Sequence, residues 1–349
     1  MRIGIISRWN ATCGVSMHAE LIGREFLKMG NDLIVFAPFI QSANRWWHHK
    51  IIREDEDFVV RCYEELMPPD FTGGWFDVNA VLNEDLDLLV VESYESLPYK
   101  YVEEIVKRLR GKIVTIAVTH EGRREDIKYD LNLFDAVVVF DERYKREVVH
   151  GYQNVVVIPY PCHPIKTGNR RFAEDLLTFF SFGRQPVGEY YDFIRVLDDL
   201  ASRYEFVYRV VRSDGLLPFS RKWLIQEQRR LTTEQVYEYL NSSDVHLIPK
   251  GNTRRVVVSS TLYQCLGALV PTIVPNTRHF EILPEIDGVK PAIVYKDLED
   301  LKQKIIRVIE DEEFRREVIN SAKRYVEENR SDKIASKFIK LFNVISCTA

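Results

Sequence analysis

Residues 2–38 read RIGIISRWNATCGVSMHAELIGREFLKMGNDLIVFAP, and this stretch decides the class of fold. Its two ends, 2–7 and 32–37, are almost continuously apolar, as strands are in a sheet that is covered on both faces. Between them, apolar side chains recur every three or four residues and so share one helical face. That face carries Val15, Ala19, Ile22, Phe26 and Met29. The stretch is therefore a strand, a helix and a second strand, which is the repeating unit of a parallel sheet.

The same alternation continues along the chain and restarts after a proline-rich segment. Further strands are predicted at 86–92, 112–118, 135–140 and 154–160, and then at 176–183, 205–211, 244–249, 271–275 and 292–295. The segment PYPCHPIKTGNRR (159–171) between the two sets is typical of a linker. The tail from 298 to about 342 has a helical period, and 41–57 is predicted to be a loop or lid. We therefore expect an α/β protein with two Rossmann-like doubly wound domains that face each other across a cleft.

The expected boundaries are an N-terminal domain over 1–163, a C-terminal domain over 164–329 and a final helix over 330–349. That helix can cross back to the N-terminal domain. A chain of 349 residues is longer than one hydrophobic core usually supports, which favours two domains.

The composition excludes several classes of protein. With 46% hydrophobic and 29% charged residues the chain is typical of a globular protein, and no apolar run reaches the ~18 residues of a membrane span. The start is too polar for a signal peptide. The net charge of −4 argues against a general nucleic-acid binder. The five cysteines have no metal-ligand spacing and fit a reducing cytoplasm: Cys13, Cys62, Cys162, Cys265 and Cys347.

In the first half, candidate site residues follow two predicted strands. Cys13 and Gly14 open the first helix, where a glycine allows close approach of a ligand and helix amides are free to bind an anion. The alternative is a turn that needs the glycine. No G-x-G-x-x-G pattern is present, which argues against a nicotinamide dehydrogenase. His120 follows strand 112–118 and could carry a proton or bind a sugar hydroxyl, or simply cap the next helix.

In the second half, candidate residues for binding an anion follow two predicted strands, 176–183 and 244–249. Gly183 and Arg184 follow strand 176–183, and an arginine there can bind a diphosphate with its fork of donors, or form a surface ion pair. Further cations and hydroxyls follow strand 244–249 and lie before or at the start of the helix that comes after it: Lys250, Arg254, Arg255, Ser259, Ser260 and Thr261. The serines could equally be ordinary helix caps.

One aromatic segment fits no pattern. Trp46, Trp47, His48 and His49 could form an acceptor platform or bind a metal. Adjacent histidines without a third ligand rarely bind one, so no metal site is predicted.

The chain resembles glycosyltransferases of the GT-B fold, in the large retaining group of family 4, or group 1 type. The resemblance covers nearly the whole length. In the first domain it rests on the glycine-containing loop and helix after the first strand, and on His120 after a later strand. In the second domain it rests on the pair Gly183–Arg184, the turn GALVPTI (267–273) and Glu281–Ile282. The long terminal helices also match.

The chain also departs from the pattern of this family. A lysine that follows the GR pair about five residues later in the family is Glu189 here. Of two family glutamates seven residues apart, the second corresponds to Gln264, and the first falls at 254–256, where there is no acid. The loop's first glycine is Cys13. An amide at Gln264 can still bind ribose hydroxyls, and Arg254 or Arg255 could replace the lysine.

The resemblance implies a glycosyltransferase that moves a sugar from a nucleotide sugar to an unidentified glycan, lipid or small-molecule acceptor, with retention. The first domain would bind the acceptor and the second the donor, without a cofactor or metal. His120 would be the catalytic residue. Neither nucleic acid nor a transmembrane segment is expected, although peripheral membrane contact stays open. The alternative is a non-catalytic GT-B protein that binds a nucleotide sugar or glycan, or serves as a partner subunit.

Overall fold

The computed structural model describes residues 1–46 and 50–347. The described chain divides into two compact units. The first contains Met1–Pro161, Arg255–Val257 and the C-terminal segment from Ser331. The second contains Cys162–Arg254 and Val258–Arg330.

Among the described residues, the first unit is built on an eight-stranded sheet. Its strands are β1 (Arg2–Ile6), β2 (Asp32–Pro38), β3 (Val59–Glu64), β4 (Trp75–Phe76), β5 (Leu88–Ser93), β6 (Val114–Thr119), β7 (Ala136–Val139) and β8 (Val155–Val157). They lie in the order β4-β3-β2-β1-β5-β6-β7-β8, and each pair is parallel except β3 with β4. The sheet thus grows in both directions from β1 and β5, as in a doubly wound fold.

Helices cover this sheet: α1 (Gly14–Lys28), α2 (Ile40–Ala43), α3 (Val78–Leu82) and α4 (Tyr99–Leu109). Helix α1 forms as its apolar spacing predicts, and Ala19, Ile22 and Phe26 are fully buried. Cys13 caps it, since its Sγ accepts a hydrogen bond from the Ser16 amide at 3.5 Å. The loop that carries Cys13 thus leads from the carboxyl end of β1 into the first turn of α1.

The second unit is built on a six-stranded sheet in the described chain. Its strands are β9 (Leu177–Gly183), β10 (Phe206–Arg212), β11 (Leu224–Gln228), β12 (Val245–Leu247), β13 (Thr272–Pro275) and β14 (Ile293–Tyr295). All pairs are parallel, in the order β11-β10-β9-β12-β13-β14. Here the sheet grows in both directions from β9 and β12.

Five helices belong to the described part of the second unit: α5 (Tyr191–Leu200), α6 (Thr233–Asn241), α7 (Ser260–Cys265), α8 (Leu298–Glu310) and α9 (Glu312–Asn329). The core between sheet and helices is apolar and aromatic, and Phe179, Phe193 and Leu197 are fully buried in it. The last helix, α10 (Ser331–Ser346), belongs to the first unit. It packs against α1, where Ser331 donates a hydrogen bond to Glu25 Oε1 at 3.1 Å.

The structure confirms the two Rossmann-like α/β domains, and every strand predicted from an apolar run is present within a few residues of its predicted ends. Three strands escaped prediction. Of these, β3 (VVRCYE) and β11 (LIQEQ) carry charged or amide side chains, and β4 has only two residues. In the stretch predicted as a loop, residues 41–43 are the end of α2.

Candidate active site

Polar side chains follow the strands around the point from which the first sheet grows in both directions. Arg8 comes shortly after β1, Tyr94 directly after β5 and His120 directly after β6. Strand β5 pairs in parallel with both β1 and β6, so these side chains leave the sheet at the same, carboxyl, edge. Ligands of open α/β sheets bind outside this edge. The predicted residue His120 therefore lies where a ligand of the first unit would bind.

His120 belongs to a hydrogen-bonded triad with Glu92 and His18. Its Nε2 lies 2.6 Å from Glu92 Oε2, while His18 Nδ1 lies 2.7 Å from Glu92 Oε1. The side chains of Glu92 and His18 are fully buried, and 10% of the His120 side chain is exposed. Sequence reasoning missed two of the three residues. Their signals were a histidine three residues after Val15 on the apolar helix face, and an acid in the otherwise apolar strand β5.

Aromatic side chains surround His18. Its ring centroid lies 5.3 Å from those of Phe140 and Tyr160 and 6.1 Å from that of Phe338. Its Nε2 is buried and has no hydrogen-bond partner among the described residues. Only Nδ1 therefore makes a polar contact, and that contact is with Glu92.

The three residues also form a group that could in principle hold a metal ion, since one ligand atom of each lies within 4.8 Å of the others. Zinc ligands at about 2.1 Å in tetrahedral geometry are separated by about 3.4 Å. The observed separations of 2.7 and 2.6 Å are hydrogen-bond lengths instead. We therefore interpret the group as a hydrogen-bonded triad. That the protein needs no metal stays a prediction.

Burial and hydrogen bonding together determine the charge of the triad. Burial raises the pKa of Glu92, but His18 and His120 more than offset this and the pKa is lowered, which favours the carboxylate. Burial lowers the pKa of His120, and the bond to Glu92 reverses this only in part, which favours the neutral imidazole. At neutral pH the triad thus contains an ionised Glu92 and an uncharged His120.

A buried ion pair lies at the same edge of the sheet. Arg8 Nε donates to Glu65 Oε1 at 2.5 Å, and Glu65 also accepts from the Tyr94 hydroxyl at 2.9 Å and from Trp46 Nε1 at 3.1 Å. The Arg8 guanidinium lies 4.5 Å from the centroid of the Tyr94 ring. Burial lowers the pKa of Arg8 but Glu65 outweighs it, so the arginine stays charged. Trp46 thus has a structural partner, and the other residues of that predicted segment, 47–49, lie outside the described residues.

Glu121, the neighbour of His120, is a buried acid. Its Oε1 accepts a hydrogen bond from Ser93 Oγ at 2.5 Å, and its Oε2 has no partner among the described residues. Burial raises its pKa to about 7. Glu121 is therefore partly protonated near neutral pH.

The predicted loop of Cys13 and Gly14 is the N-terminal end of α1, a helix of 15 residues. The Gly14 carbonyl accepts a hydrogen bond from the Tyr160 hydroxyl at 2.7 Å. The structure accounts for the loop by helix capping, and its predicted contact with a phosphate or acceptor stays a prediction.

In the second unit, Arg184 and Lys250 follow the two strands from which the sheet grows in both directions. Strand β9 ends at Gly183, where the backbone φ of +128° is one that glycine adopts more readily than other residues. Arg184 comes next. Lys250 follows β12, which pairs in parallel with β9. The two cations therefore leave the sheet at the same carboxyl edge, and the charge of Arg184 acts on Lys250.

Glu189 lies beside this pair of cations. Its Oε1 packs closely on Gly251, since a Cβ added to that glycine would lie only 2.6 Å from this oxygen. Its Oε2 is buried and has no partner among the described residues. Burial lowers the pKa of Lys250, Glu189 raises it and Arg184 lowers it further. Glu189 is thus an acid that lies close to a lysine.

Arg212, at the end of β10, was missed by sequence reasoning. Its Nη2 donates to the Gln185 carbonyl at 2.9 Å, while its Nε is buried and unpartnered among the described residues. Gln185 directly follows Arg184, so Arg212 supports the loop that carries the predicted phosphate contact. The signal in the sequence was an arginine at the end of a strand, the same as for Arg184.

The segment predicted to contact the nucleotide forms α7. Ser259 caps this helix, because its Oγ accepts from the Leu262 amide at 3.3 Å, and Ser260 and Thr261 form the first turn. Gln264 is buried, and its Nε2 lies 3.2 Å from Thr233 Oγ1. The structure thus assigns capping and packing contacts to two predicted site residues. Their contact with a nucleotide stays a prediction.

The remaining predicted cations, Arg254 and Arg255, are assigned to different units. The Arg254 carbonyl accepts from Arg278 Nη1 at 2.8 Å, and Arg278 Nε lies 3.4 Å from Glu281 Oε1. Arg255 belongs to the first unit, where it forms an ion pair with Glu95. The predicted contact of Arg255 with the donor stays a prediction.

Comparison with known proteins decides the fold. The family described as glycosyl transferase-like matches residues 186–340. The whole chain superposes on sucrose-phosphate synthase from Thermosynechococcus elongatus with a TM-score of 0.68, 12% identity and 100% of both chains covered. The chain has the GT-B glycosyltransferase fold. This confirms the resemblance drawn from the sequence.

Two further GT-B structures are similar over almost their full length. A pneumococcal O-GlcNAc transferase in complex with UDP and GlcNAc superposes with a TM-score of 0.64, 11% identity and 99% of both chains covered. An α-glucosyltransferase in complex with UDP and DNA superposes with a TM-score of 0.68, 12% identity and 99% of both chains covered. At these identities the likeness concerns the fold. No helix in the described part of the chain is long and apolar enough to span a membrane.

Proposed function

We propose that this protein is a glycosyltransferase that moves a sugar from a nucleoside-diphosphate sugar to an acceptor, with retention. The observation that carries the proposal is the pair Arg184 and Lys250, which follow adjacent strands of the second sheet. Lys250 lies within the glycosyl transferase-like part of the chain, and Arg184 lies just before it. The donor would bind the second unit, and the acceptor, a glycan, lipid or small molecule, the first.

The charges around Lys250 suit a diphosphate. Two cations, Arg184 and Lys250, and one acid, Glu189, act on one another at this sheet edge. Burial and the charge of Arg184 lower the pKa of Lys250. An anion beside this buried ammonium would be stabilised more than in water. Arg184 can add two parallel hydrogen bonds to phosphate oxygens. Both cations would also stabilise the diphosphate that leaves during transfer.

Other predicted residues complete the proposed donor site. Ser259, Ser260 and Thr261 would provide hydroxyls and amides near the phosphates, Arg254 and Glu281 would line the sugar side, and Gln264 would bind the ribose. Gln264 is held by Thr233 through one amide hydrogen, which leaves its carbonyl oxygen as an acceptor for a ribose hydroxyl.

His120 would serve the reaction in the first unit. The proposed reaction breaks the bond between the sugar and the diphosphate and forms a bond to the acceptor hydroxyl, whose proton passes to a phosphate oxygen of the leaving group. No protein nucleophile is required, so rate enhancement would come from positioning and charge stabilisation. His120 would hold a substrate hydroxyl in place, since its side chain is 10% exposed.

One observation favours the non-catalytic alternative. An amide, Gln264, occupies the position where the family has an acid, and it is already bonded to Thr233. A protein of this kind would bind a nucleotide sugar without transferring the sugar. The two functions therefore differ in turnover rather than in binding.

The test is a screen of UDP-, GDP-, ADP-, CDP- and dTDP-sugars with pooled acceptors, in which released nucleoside diphosphate and glycosylated product are measured by mass spectrometry. The enzyme proposal predicts release with at least one donor, loss of release in Arg184→Ala and retention in Arg316→Ala, a change at an exposed arginine of the same unit. Binding without release by any donor would favour the alternative, and neither binding nor release would exclude both.

A further inference from the structure

The Glu92 carboxylate is the centre of the triad, and its two oxygens accept from two different histidines. An ionised carboxylate can only accept hydrogen bonds. Each histidine must therefore present an N–H to it, which is Nδ1–H on His18 and Nε2–H on His120. This arrangement determines the tautomer of both rings.

The surroundings of His18 support its assigned tautomer independently. Its Nε2 is buried among aromatic rings and has no acceptor among the described residues. A proton on this nitrogen would be a buried donor without a partner, which is costly. His18 thus carries its proton on Nδ1, toward Glu92, and holds one carboxylate oxygen in place.

On His120 the same logic leaves Nδ1 without a proton. Nε2–H points to Glu92. The pKa of Glu92 is lowered, which favours the carboxylate, and the pKa of His120 is lowered, which favours the neutral imidazole. The ring is the least buried member of the triad, with 10% of its side chain exposed, and His120 follows β6 at the carboxyl edge of the sheet. Its Nδ1 lone pair is therefore a hydrogen-bond acceptor.

We propose that Glu92 and His18 are positioning residues that hold His120 in the Nε2–H tautomer, so that its Nδ1 accepts a hydrogen bond from a substrate hydroxyl. The inference rests on the proposed function, since the hydroxyl belongs to the acceptor that would bind the first unit. His120 would then select a ligand that donates, and a hydroxyl that is removed or methylated would lose this contact.

The groups around His120 are consistent with an uncharged acceptor. Those that act on it are Glu92 from β5, His18 from α1 and Arg8 after β1, and both His18 and Arg8 lower its pKa. The positive charge of Arg8 disfavours a second proton on the ring. A protonated His120 would lose the Nδ1 lone pair, so turnover should fall as pH drops through the pKa of His120.

The test uses Glu92→Gln, because an amide offers one acceptor and one donor. If the amide oxygen faced His120, its NH₂ would face His18 and force the proton of that ring onto the buried Nε2. The amide will therefore donate to His120 Nε2, and the proton of His120 moves to Nδ1. Glu25→Gln is the matched control, since Glu25 is also buried in the first unit and bonds Lys28 and Ser331 instead.

The first readout needs no substrate. Nitrogen chemical shifts of protein labelled with ¹⁵N-histidine report the tautomer, and loss of one of the eight histidine signals in His120→Gln assigns His120. We expect Nε2–H in the parent and in Glu25→Gln, and Nδ1–H in Glu92→Gln. An Nδ1–H tautomer in the parent would overturn the inference, whatever the activity.

The second readout is turnover on the donor and acceptor pair that the parent uses. Glu92→Gln should lower kcat by roughly 10²-fold or more and leave the affinity for UDP or GDP unchanged, since nucleotide would bind the second unit. Parent-like kcat in a variant with the switched tautomer would overturn the inference. If the parent has no activity on any pair, the proposed function fails, and the tautomer measurement alone decides the inference.

Variants at His18 give a second route should Glu92→Gln not fold. His18→Phe keeps a ring in the aromatic surroundings but removes the donor to Glu92, which should raise the pKa of Glu92 and shift the proton of His120. His18→Asn restores an N–H near the position of Nδ1 and should restore both tautomer and kcat. Equal behaviour of these two variants would show that His18 only fills space.

A metal chelator tests whether the triad holds a metal ion instead. Turnover that is unchanged in EDTA supports hydrogen bonding within the triad, whereas turnover that is lost in EDTA and restored by zinc would contradict it.

Discussion

His246 in the second unit should make stability depend on pH in a way that one substitution removes. It lies in β12, is 1% exposed and stacks with Phe180 and Phe182, whose ring centroids are each 6.0 Å away. Its Nδ1 has no partner among the described residues. Burial lowers its pKa to about 3. The folded protein therefore keeps this ring neutral, while the unfolded chain protonates it near its ordinary pKa of about 6.5.

The size of the effect follows from this difference. Between pH 6.5 and pH 3 the unfolded chain binds one more proton at this residue, so the free energy of unfolding falls as pH falls. From pH 7 to pH 5 the loss is about 2 kcal/mol. The result hardly changes if the folded pKa is a unit higher, because at pH 5 the folded ring would still be mostly neutral.

His246→Leu removes the titrating group and keeps an apolar side chain between the two phenylalanines. Hydrogen exchange of β9 and β12 amides, measured by mass spectrometry at pH 7 and pH 5 and corrected for intrinsic rates, reports the stability of this unit. Protection should fall about thirtyfold more in the parent than in the variant. An equal fall in both proteins would refute the reasoning, because it would mean that His246 is protonated in the folded state.

Three further outcomes are expected. Glu121→Gln should stabilise the protein by up to about 3 kcal/mol at pH 8 and little at pH 4.5. The reason is that the raised pKa of Glu121, about 7, makes the parent lose stability as pH rises from 4.5 through 7. Thermal denaturation of both proteins at the two pH values checks this. Lys250→Ala should weaken nucleoside-diphosphate affinity about tenfold and Lys250→Arg should restore most of it, whereas equal affinity of all three proteins in calorimetry would remove Lys250 from the site. Gln264→Ala should weaken the same affinity by ~1–3 kcal/mol while Gln264→Glu preserves it, because a carboxylate can accept from both the ribose and Thr233; unchanged affinity in Gln264→Ala would mean that this side chain only packs.

Much of the fold could be predicted because its signals are local. The apolar runs of β1 and β2 and the three-and-four spacing of α1 lie within residues 2–38, and repetition of that pattern indicates a doubly wound sheet. Strand β11 could not be predicted in this way. It lies at the edge of its sheet and carries amide and acidic side chains, so it lacks an apolar run.

The candidate site was predictable only where a residue directly follows a strand. His120 and Arg184 could be selected because the carboxyl ends of parallel strands meet at one edge of a sheet. The bond from Glu92 to His18 joins residues 74 positions apart, and no local pattern reports such a contact. Arg254 and Arg255 are neighbours in the sequence but are assigned to different units of the structure, which no local pattern reports.

The central claim is that the strand ends carrying Arg184 and Lys250 bind the diphosphate of a sugar donor. Isothermal titration calorimetry with UDP, GDP, ADP, CDP and dTDP, and with the matching nucleosides, tests it most directly. The account predicts that at least one diphosphate binds, that its nucleoside binds far more weakly, and that Arg184→Ala removes most of the difference while Arg316→Ala does not. Equal binding of nucleoside and diphosphate, or parent-like affinity in Arg184→Ala, would contradict it.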